Sequence, residues 1–539
     1  MGASYVRPMT QTKSRSDVAD GGQDSGVSAE TLRSISTPDR VETRLGTLEF
    51  VDGAPTTATS ATLYDNLDFM HGVEAFINSF PAASLAAMRQ GFLDIGIQDN
   101  DVLAFPEMLD SASLFLTANA DSMYFWSFLD LTNGPVVLEL PALGPPTGIL
   151  GVVDDMWFGW VTDTGLPGPD RGHGGRYLIV GPGYDGPLPE GGFFVSHCRT
   201  TRAIWVGRGF MVDNDPTLAV ETIRNGLRIY PYQPGGVGTS VASFLAGAAP
   251  FAPATEPAPP RFVDAVHLSM NTVPPNDDSY WELINEVVQT EPAGAGDSEI
   301  LGLLNSVGIV KGKPFAPDTR MRKILREAVA VGNATARTVS WDPRAQEGWA
   351  HYPGSQWFNM LFEGGYEFLT PPPKITANGV EKFPSDGARK INSRIAFFYP
   401  YTFITPAMCM RLTGIGSQYL VAMRGADGEY LDGNRTYRIT LPPGIPQSRF
   451  WSVILYDNQT RSMLQTDQFL PNLGSQTGTV QTNPDGTTDV YIGPAAPAGK
   501  ESNWLQTIPG RGFFTVLRLY NPLQAFFDET WRPSEIEPT

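Results

Sequence analysis

The feature that most constrains this chain is a run of short apolar segments broken by Gly and Pro. Between residues 123 and 212 they read "MYFWSFLDL", "PVVLELP", "ILGVVDDMWFGWV", "RYLIVGPGY", "GFFVSH" and "AIWVGRGFMV". Each is the length of a strand, and no helical pattern separates them. Strands joined by turns rather than helices pair antiparallel, so a sandwich or barrel is expected. A second block repeats the texture near the C-terminus, with "TYRITLP", "FWSVILYD", "DVYIG" and "FFTVLRLY". The turn-forming "NPDGTTDV" precedes one of these strands.

Other stretches have helical spacing. "ATLYDNLDFMHGVEAFINSF" is an amphipathic helix, and "PAASLAAMRQGFLDIG" reads as a second one begun by its proline. "DDSYWELINEVVQTEP" and "DTRMRKILREAVAVGNATARTV" are helical as well. The expected fold is therefore mainly β with helical additions: two antiparallel β-sandwich domains joined by a mostly helical middle segment. The expected limits are a disordered tail over 1–45, a first sandwich with leading helices over 46–215, a helical link with a Pro-rich loop over 216–345, and a second sandwich over 346–539. No close sequence repeat links the two β regions.

The 539 residues carry 38 basic and 57 acidic side chains, a net charge of −19. That disfavours nucleic acid and anionic membrane, which are bound through Lys and Arg. No apolar run reaches the ~18–20 residues of a membrane span, and the first residues lack an apolar signal core. A soluble, cytoplasmic protein is expected on these grounds. Cys198 and Cys409 form no CxxC pair, so structural zinc and iron–sulfur sites are unsupported; two free thiols are the expectation. The five histidines are not spaced as shared helical ligands, although His71 and Glu74 could share a face. A divalent metal assembled from distant segments stays open.

Nucleotide motifs fail in context. "LIVGPGYDG" has Gly-x-Gly after a strand, but another turn and strand follow where a dinucleotide fold needs a helix. No P-loop is present. "TGIGSQYL" lacks the second glycine of a nucleophile elbow. No nucleotide cofactor is indicated, and the cofactor is otherwise open.

Candidate chemistry lies in four places. "TANADSMYF" sets Asn119, Asp121, Ser122 and Tyr124 against an apolar strand. It reads either as an Asx-type turn launching the strand or as a site. In the second case Asp121 and Tyr124 are catalytic and Asn119 and Ser122 bind substrate. Strand alternation forbids all four converging unless the chain turns near Asp121. "DRGHGGRY" offers His173 for proton transfer and Arg176 for an anion, or is simply a solvated loop. Arg208 follows an apolar strand and is either a snorkelling side chain or a buried clamp. Arg518 shares a strand face with Phe514, Val516 and Tyr520, so burial would demand a partner. Trp157, with Trp160, could supply an apolar wall.

Many segments resemble known domains in order. "TANADSMYFWSFLDL", "GGRYLIVGPGYDGPLPEG" and "RAIWVGRGFMVD" resemble the domain-of-unknown-function 1254 family. "ITPAMCMRLTGIGSQYL", "YLDGNRTYRITLPPGIP", "FWSVILYDNQTRSMLQTDQ" and "WRPSEIE" resemble the domain-of-unknown-function 1214 family. The resemblance implies two jelly-roll sandwiches, often oligomeric, and transfers no catalytic residue. This chain departs from it at Ala118 and Ala120, where members carry proline or a second Asn. Three functions compete: an enzyme, hydrolase or lyase, acting on a small polar or amphipathic substrate; a non-catalytic ligand- or carbohydrate-binding protein; and a homo-oligomeric structural module.

Overall fold

A computed structural model describes residues 27–539, apart from 143–147, 237–238, 249, 252–255, 345–348, 360, 362–364, 371–373, 377–378, 382–386 and 410–411. Most of the expected N-terminal tail, and part of the expected Pro-rich loop, lie outside the described residues. The chain divides into two compact units, Met1–His71 and Gly72–Thr539. Within the first, a short helix Ala29–Ile35 precedes a three-stranded sheet of Arg40–Thr43, Gly46–Val51 and Ala54–Pro55.

The second unit is mainly β. We number its principal strands β1 (Met123–Asp130), β2 (Val136–Leu140), β3 (Ile149–Asp155), β4 (Trp160–Gly165), β5 (Gly175–Val180), β6 (Phe194–His197), β7 (Arg202–Gly209) and β8 (Arg228–Pro231). The later set is β9 (Ser417–Ala422), β10 (Tyr437–Leu441), β11 (Gln447–Asp457), β12 (Asn472–Gly474), β13 (Thr488–Gly493), β14 (Trp504–Gln506), β15 (Phe513–Pro522) and β16 (Glu537–Pro538).

The two sets are wired alike. One sheet of the first set runs β1-β7-β3-β4, extended beyond β1 by Val102–Ala104 and Phe262–Asp264; its counterpart runs β9-β15-β11-β12. The other sheets run β6-β5-β2-β8 and β14-β13-β10-β16. Even the exception repeats: β5 pairs β6 parallel, as β13 pairs β14, while the other pairings within the two sets are antiparallel. A helix lies between the last two strands of each set, Thr217–Gly226 and Gln524–Phe527.

Strand alternation sorts the side chains into two layers of core. Leu138, Tyr177 and Ile179 pack with Phe125, Val153 and Trp205 between the first pair of sheets. Ile439, Val490 and Ile492 pack with Leu420, Val453, Leu517 and Leu519 between the second. The opposite faces of the β7 and β15 sheets share a third core, in which Trp126, Phe128, Val152, Ile204 and Val206 join Ile454, Tyr456, Phe514 and Val516. The site lies on these opposite faces.

The two leading helices expected from the sequence are one helix, Thr57–Asp94, with Pro81 inside it. Proline removes one backbone donor and normally kinks or ends a helix. Here residues 79–88 are buried on every side of the helix, and that burial outweighs the lost bond. The expected link helices are present as Ser279–Thr290 and Thr319–Trp341, with Ser298–Ser306 between them. No helix among the described residues is long and apolar enough to cross a membrane.

Candidate functional site

Residues 117–122 form a turn and β1 begins at Met123. Asn119 builds the turn: its Oδ1 accepts from the Asp121 amide at 3.0 Å and from Ser122 Oγ at 3.2 Å. Its Nδ2 donates to Tyr124 OH at 2.7 Å. The turn therefore frees Asp121 from strand alternation. The Asp121 carboxylate, 3% exposed, reaches the second set of strands. There it accepts from Ser452 Oγ (2.6 Å), Asn472 Nδ2 (2.7 Å) and Tyr520 OH (3.0 Å). Thr117 holds φ = 43°, unfavourable for a β-branched residue. Three bonds hold it there: its amide to Arg461 O, its hydroxyl to Pro400 O and its carbonyl from Arg518.

Arg208 on β7 lies directly across from Tyr124 on β1. Arg518 on β15 lies directly across from Tyr419 on β9. Each central strand thus presents one Tyr–Arg cross-strand pair on the face turned to the shared core. Each guanidinium also reaches to the other set: Arg208 Nη2 donates to Ser417 Oγ at 2.7 Å, and Arg518 Nη2 to Thr117 O at 2.6 Å. Arg518 also donates to Tyr456 OH at 2.7 Å. The rings of Tyr520 and Tyr419 lie under Arg208 and Arg518, at 5.2 and 4.9 Å.

Arg208 is 8% exposed and Arg518 1%. Neither forms a salt bridge among the described residues, and the Nε of each lacks a hydrogen-bond partner there. Burying a guanidinium without a carboxylate is costly unless something else supplies the charge. The phenols around them respond. Burial drives Tyr124, Tyr401, Tyr456 and Tyr520 above the ordinary tyrosine range. Burial pushes Tyr419 the same way, but Arg208 and Arg518, with hydrogen bonds from Tyr401 and Ser417, bring it below that range.

A cavity of about 60 Å³ opens beside Arg518. Thr117, Asn359, Tyr401, Tyr419 and Arg518 are among the residues that line it. Trp341, Leu361, Phe397, Met423, Phe514 and Val516 form its apolar walls. One water needs roughly 10–15 Å³ on this measure, so there is room for several waters or a small organic molecule.

Of the residues expected to matter, Asn119, Asp121, Ser122, Tyr124, Arg208 and Arg518 gather here. The others lie elsewhere. His173 is exposed in the loop before β5, and Arg176 pairs with Glu139 at 3.3 Å on the β2–β5 sheet. The buried polar group of that loop is Asp170, which accepts from the Gly165 and Gly174 amides and from Tyr177 OH. Trp157 lines a separate cavity of about 300 Å³ with Val288, Glu291 and Leu301. Trp160 is 40% exposed.

Ser417, Tyr419, Ser452, Asn472 and Tyr520 went unrecognised in the sequence. The signal was present: "SMYF" on β1 and "SQYL" on β9 share Ser-x-Tyr, and each faces an arginine on the last long strand. A second echo lies on β3 and β11. Asp155 holds the Trp157 and Gly159 amides and pairs with Arg199. Asp457 holds the Gln459 and Thr460 amides and pairs with Arg511.

No three His, Cys, Asp or Glu side chains capable of holding a metal gather among the described residues. Cys198 is buried and Cys409 half-buried, both free. Burial pushes the Cys198 thiol up to about 11 and Cys409 higher still, so neither resembles an activated nucleophile.

Comparison with known proteins agrees with this layout. "Protein of unknown function (DUF1254)" matches residues 100–231, and "Protein of unknown function (DUF1214)" matches residues 416–524. No curated protein matches the chain. The crystal structure of the VPA0106 protein from Vibrio parahaemolyticus is similar over 88% of this chain and 100% of its own, with 16% identity and a TM-score of 0.51. An uncharacterized protein from Burkholderia cenocepacia aligns over 90% of this chain and 97% of its own, with 11% identity and a TM-score of 0.37. The first likeness supports the fold alone.

Proposed function

We propose, from the premise that this chain belongs to the two-domain DUF1254/DUF1214 family, that it binds a small amphipathic molecule in the cavity beside Arg518. The observation that carries this reading is a fully buried guanidinium, without a carboxylate partner among the described residues, among the side chains that line an apolar cavity. The ligand's apolar body fits against Phe397, Met423 and Phe514, and its polar head meets Arg518, Asn359 and Tyr419. Arg208 supports the same head through Ser417 and Tyr419 rather than lining the cavity itself.

The test is calorimetric titration with short-chain and aromatic acids and their neutral amides. Binding should favour the acids and weaken at least tenfold in Arg518→Gln. Val421→Phe, which fills the cavity without touching a polar group, keeps the test sound if Arg518→Gln does not fold. Binding unchanged in Val421→Phe would sink the reading.

A catalytic reading, hydrolase or lyase, rests on Tyr419. A phenol brought below its ordinary range by two nearby guanidinium groups can accept a proton from a bound substrate. Tyr419→Phe should then abolish turnover while leaving binding measurable. Asp121, Tyr124 and Asn119 act in this proposal as the scaffold that joins the two sheets. His173, Arg176 and Trp157 have no part in it.

We read the two sets of eight strands, within 123–231 and 417–538, as jelly-roll-like sandwiches, supported by their matching strand order. Homo-oligomerisation in the cytoplasm remains the expectation that the family resemblance and sequence support. Light scattering tests the first part.

A further inference from the structure

The charges around Tyr419 specify the ligand more narrowly, an inference that rests on the reading of the cavity above. Arg208 and Arg518 bring two positive charges to the buried face between β7 and β15. One carboxylate, Asp121, lies among them, and its oxygens are taken by Ser452, Asn472 and Tyr520. The buried cluster therefore carries one positive charge too many. Low local polarity makes that imbalance costly.

Five phenols could supply the missing negative charge: Tyr124, Tyr401, Tyr419, Tyr456 and Tyr520. Three of them, Tyr124, Tyr456 and Tyr520, are not among the residues that line the cavity. Tyr456 OH donates to Ala118 O and accepts from Arg518, Tyr520 OH donates to Asp121, and Tyr124 OH accepts from Asn119 Nδ2. Tyr419 differs. It lines the cavity, sits directly across from Arg518 with its ring 4.9 Å from that guanidinium, and lies within the field of Arg208. Its lowered range, against the raised range of the other four, agrees with that placement.

We infer that the cavity takes a singly charged carboxylate with an apolar tail, and that the Tyr419 phenolate picks up a proton as the carboxylate enters. The balance is simple. Phenolate plus one proton from solvent gives phenol, and the incoming carboxylate replaces the charge that the phenolate had supplied to the two guanidinium groups. No bond to carbon changes. A dicarboxylate would overshoot, leaving one negative charge unmatched among apolar walls.

The experiment titrates the whole chain with hexanoate in two buffers of different ionisation enthalpy, from pH 7 to 9.5. The expected result is proton uptake that grows with pH towards one proton per hexanoate. Affinity should fall as pH rises, approaching tenfold per unit above the Tyr419 transition. Tyr419→Phe should bind hexanoate with no pH dependence over this range, and glutarate should bind at least tenfold more weakly than hexanoate. Hexanoate binding without proton uptake at any pH would overturn the inference and leave the cavity assignment standing. So would tighter binding of glutarate, or a pH dependence that survives in Tyr419→Phe. Absence of hexanoate binding in a protein that also fails to bind any acid of the calorimetric series would instead remove the reading of the cavity.

Discussion

Asp121 is a buried carboxylate with three donors converging on it, all from strands more than 300 residues later in the chain. Truncation would strand those donors in an apolar interior, at about 1–3 kcal/mol for each group left unsatisfied. Asp121→Ala should therefore destabilise the Gly72–Thr539 unit by ~3 kcal/mol or more in denaturant unfolding, whereas Ser452→Ala should cost ~1 kcal/mol, since it removes one donor of three. Equal costs would show that the carboxylate is not the hub. The sequence made "TANADSMYF" conspicuous, and Asn119 does form the Asx-type turn that its residue type favours. What Asp121 meets could not be read there, because Ser452, Asn472 and Tyr520 come from three separate later strands. A hydrogen bond between distant segments leaves no periodic trace in either of them.

At the scale of elements, alternation along β3 and β4 puts Asp154 and Asp163 on the same face as Val152 and Val206. Burial drives Asp154 well above the usual carboxylate range; the Ile404 amide, 3.3 Å from its Oδ2, offsets only part of that. Burial pushes Asp163 up to about 7, against hydrogen bonds with Thr405 and Trp160. Between pH 4 and 7 the folded chain then holds a proton at Asp163 that the unfolded chain releases. Stability falls as pH rises through that window, by up to ~4 kcal/mol for this one group. Asp163→Asn should flatten that part of the stability–pH curve, as read by urea midpoints from pH 4 to 7.5. An unchanged slope would count against a buried, protonated Asp163. The strands themselves were legible, because five- to ten-residue apolar runs between turn residues leave few alternatives. The helix Thr57–Asp94 was less so: Pro81 reads locally as a start, and only its buried flanks show that the helix continues.

Across the Gly72–Thr539 unit, two sets of eight strands share one connectivity and present matching Tyr–Arg pairs to a common core. The reciprocal reach of Arg208 to Ser417 and of Arg518 to Thr117 ties the sets together through buried polar bonds. Such bonds hold only while both sets are folded, so the unit should unfold in one cooperative transition. Asp121→Ala should split or broaden it in differential scanning calorimetry; two resolved transitions in the unmodified protein would contradict the coupling. The duplication was hidden in the sequence because equivalent positions keep only scattered residues, such as Ser122 and Tyr124 against Ser417 and Tyr419. Strand order is retained through backbone pairing and burial, which many apolar side chains satisfy equally well. One site between the two faces carries both the ligand cavity and the coupling of the two sets. Its most direct test is a crystal of the protein soaked with 4-bromobenzoate and measured at the bromine edge. One anomalous peak is expected between Phe397, Met423 and Phe514, with the carboxylate against Arg518 and Tyr419. Bromine found only elsewhere, with the cavity beside Arg518 unoccupied at saturating ligand, would contradict it.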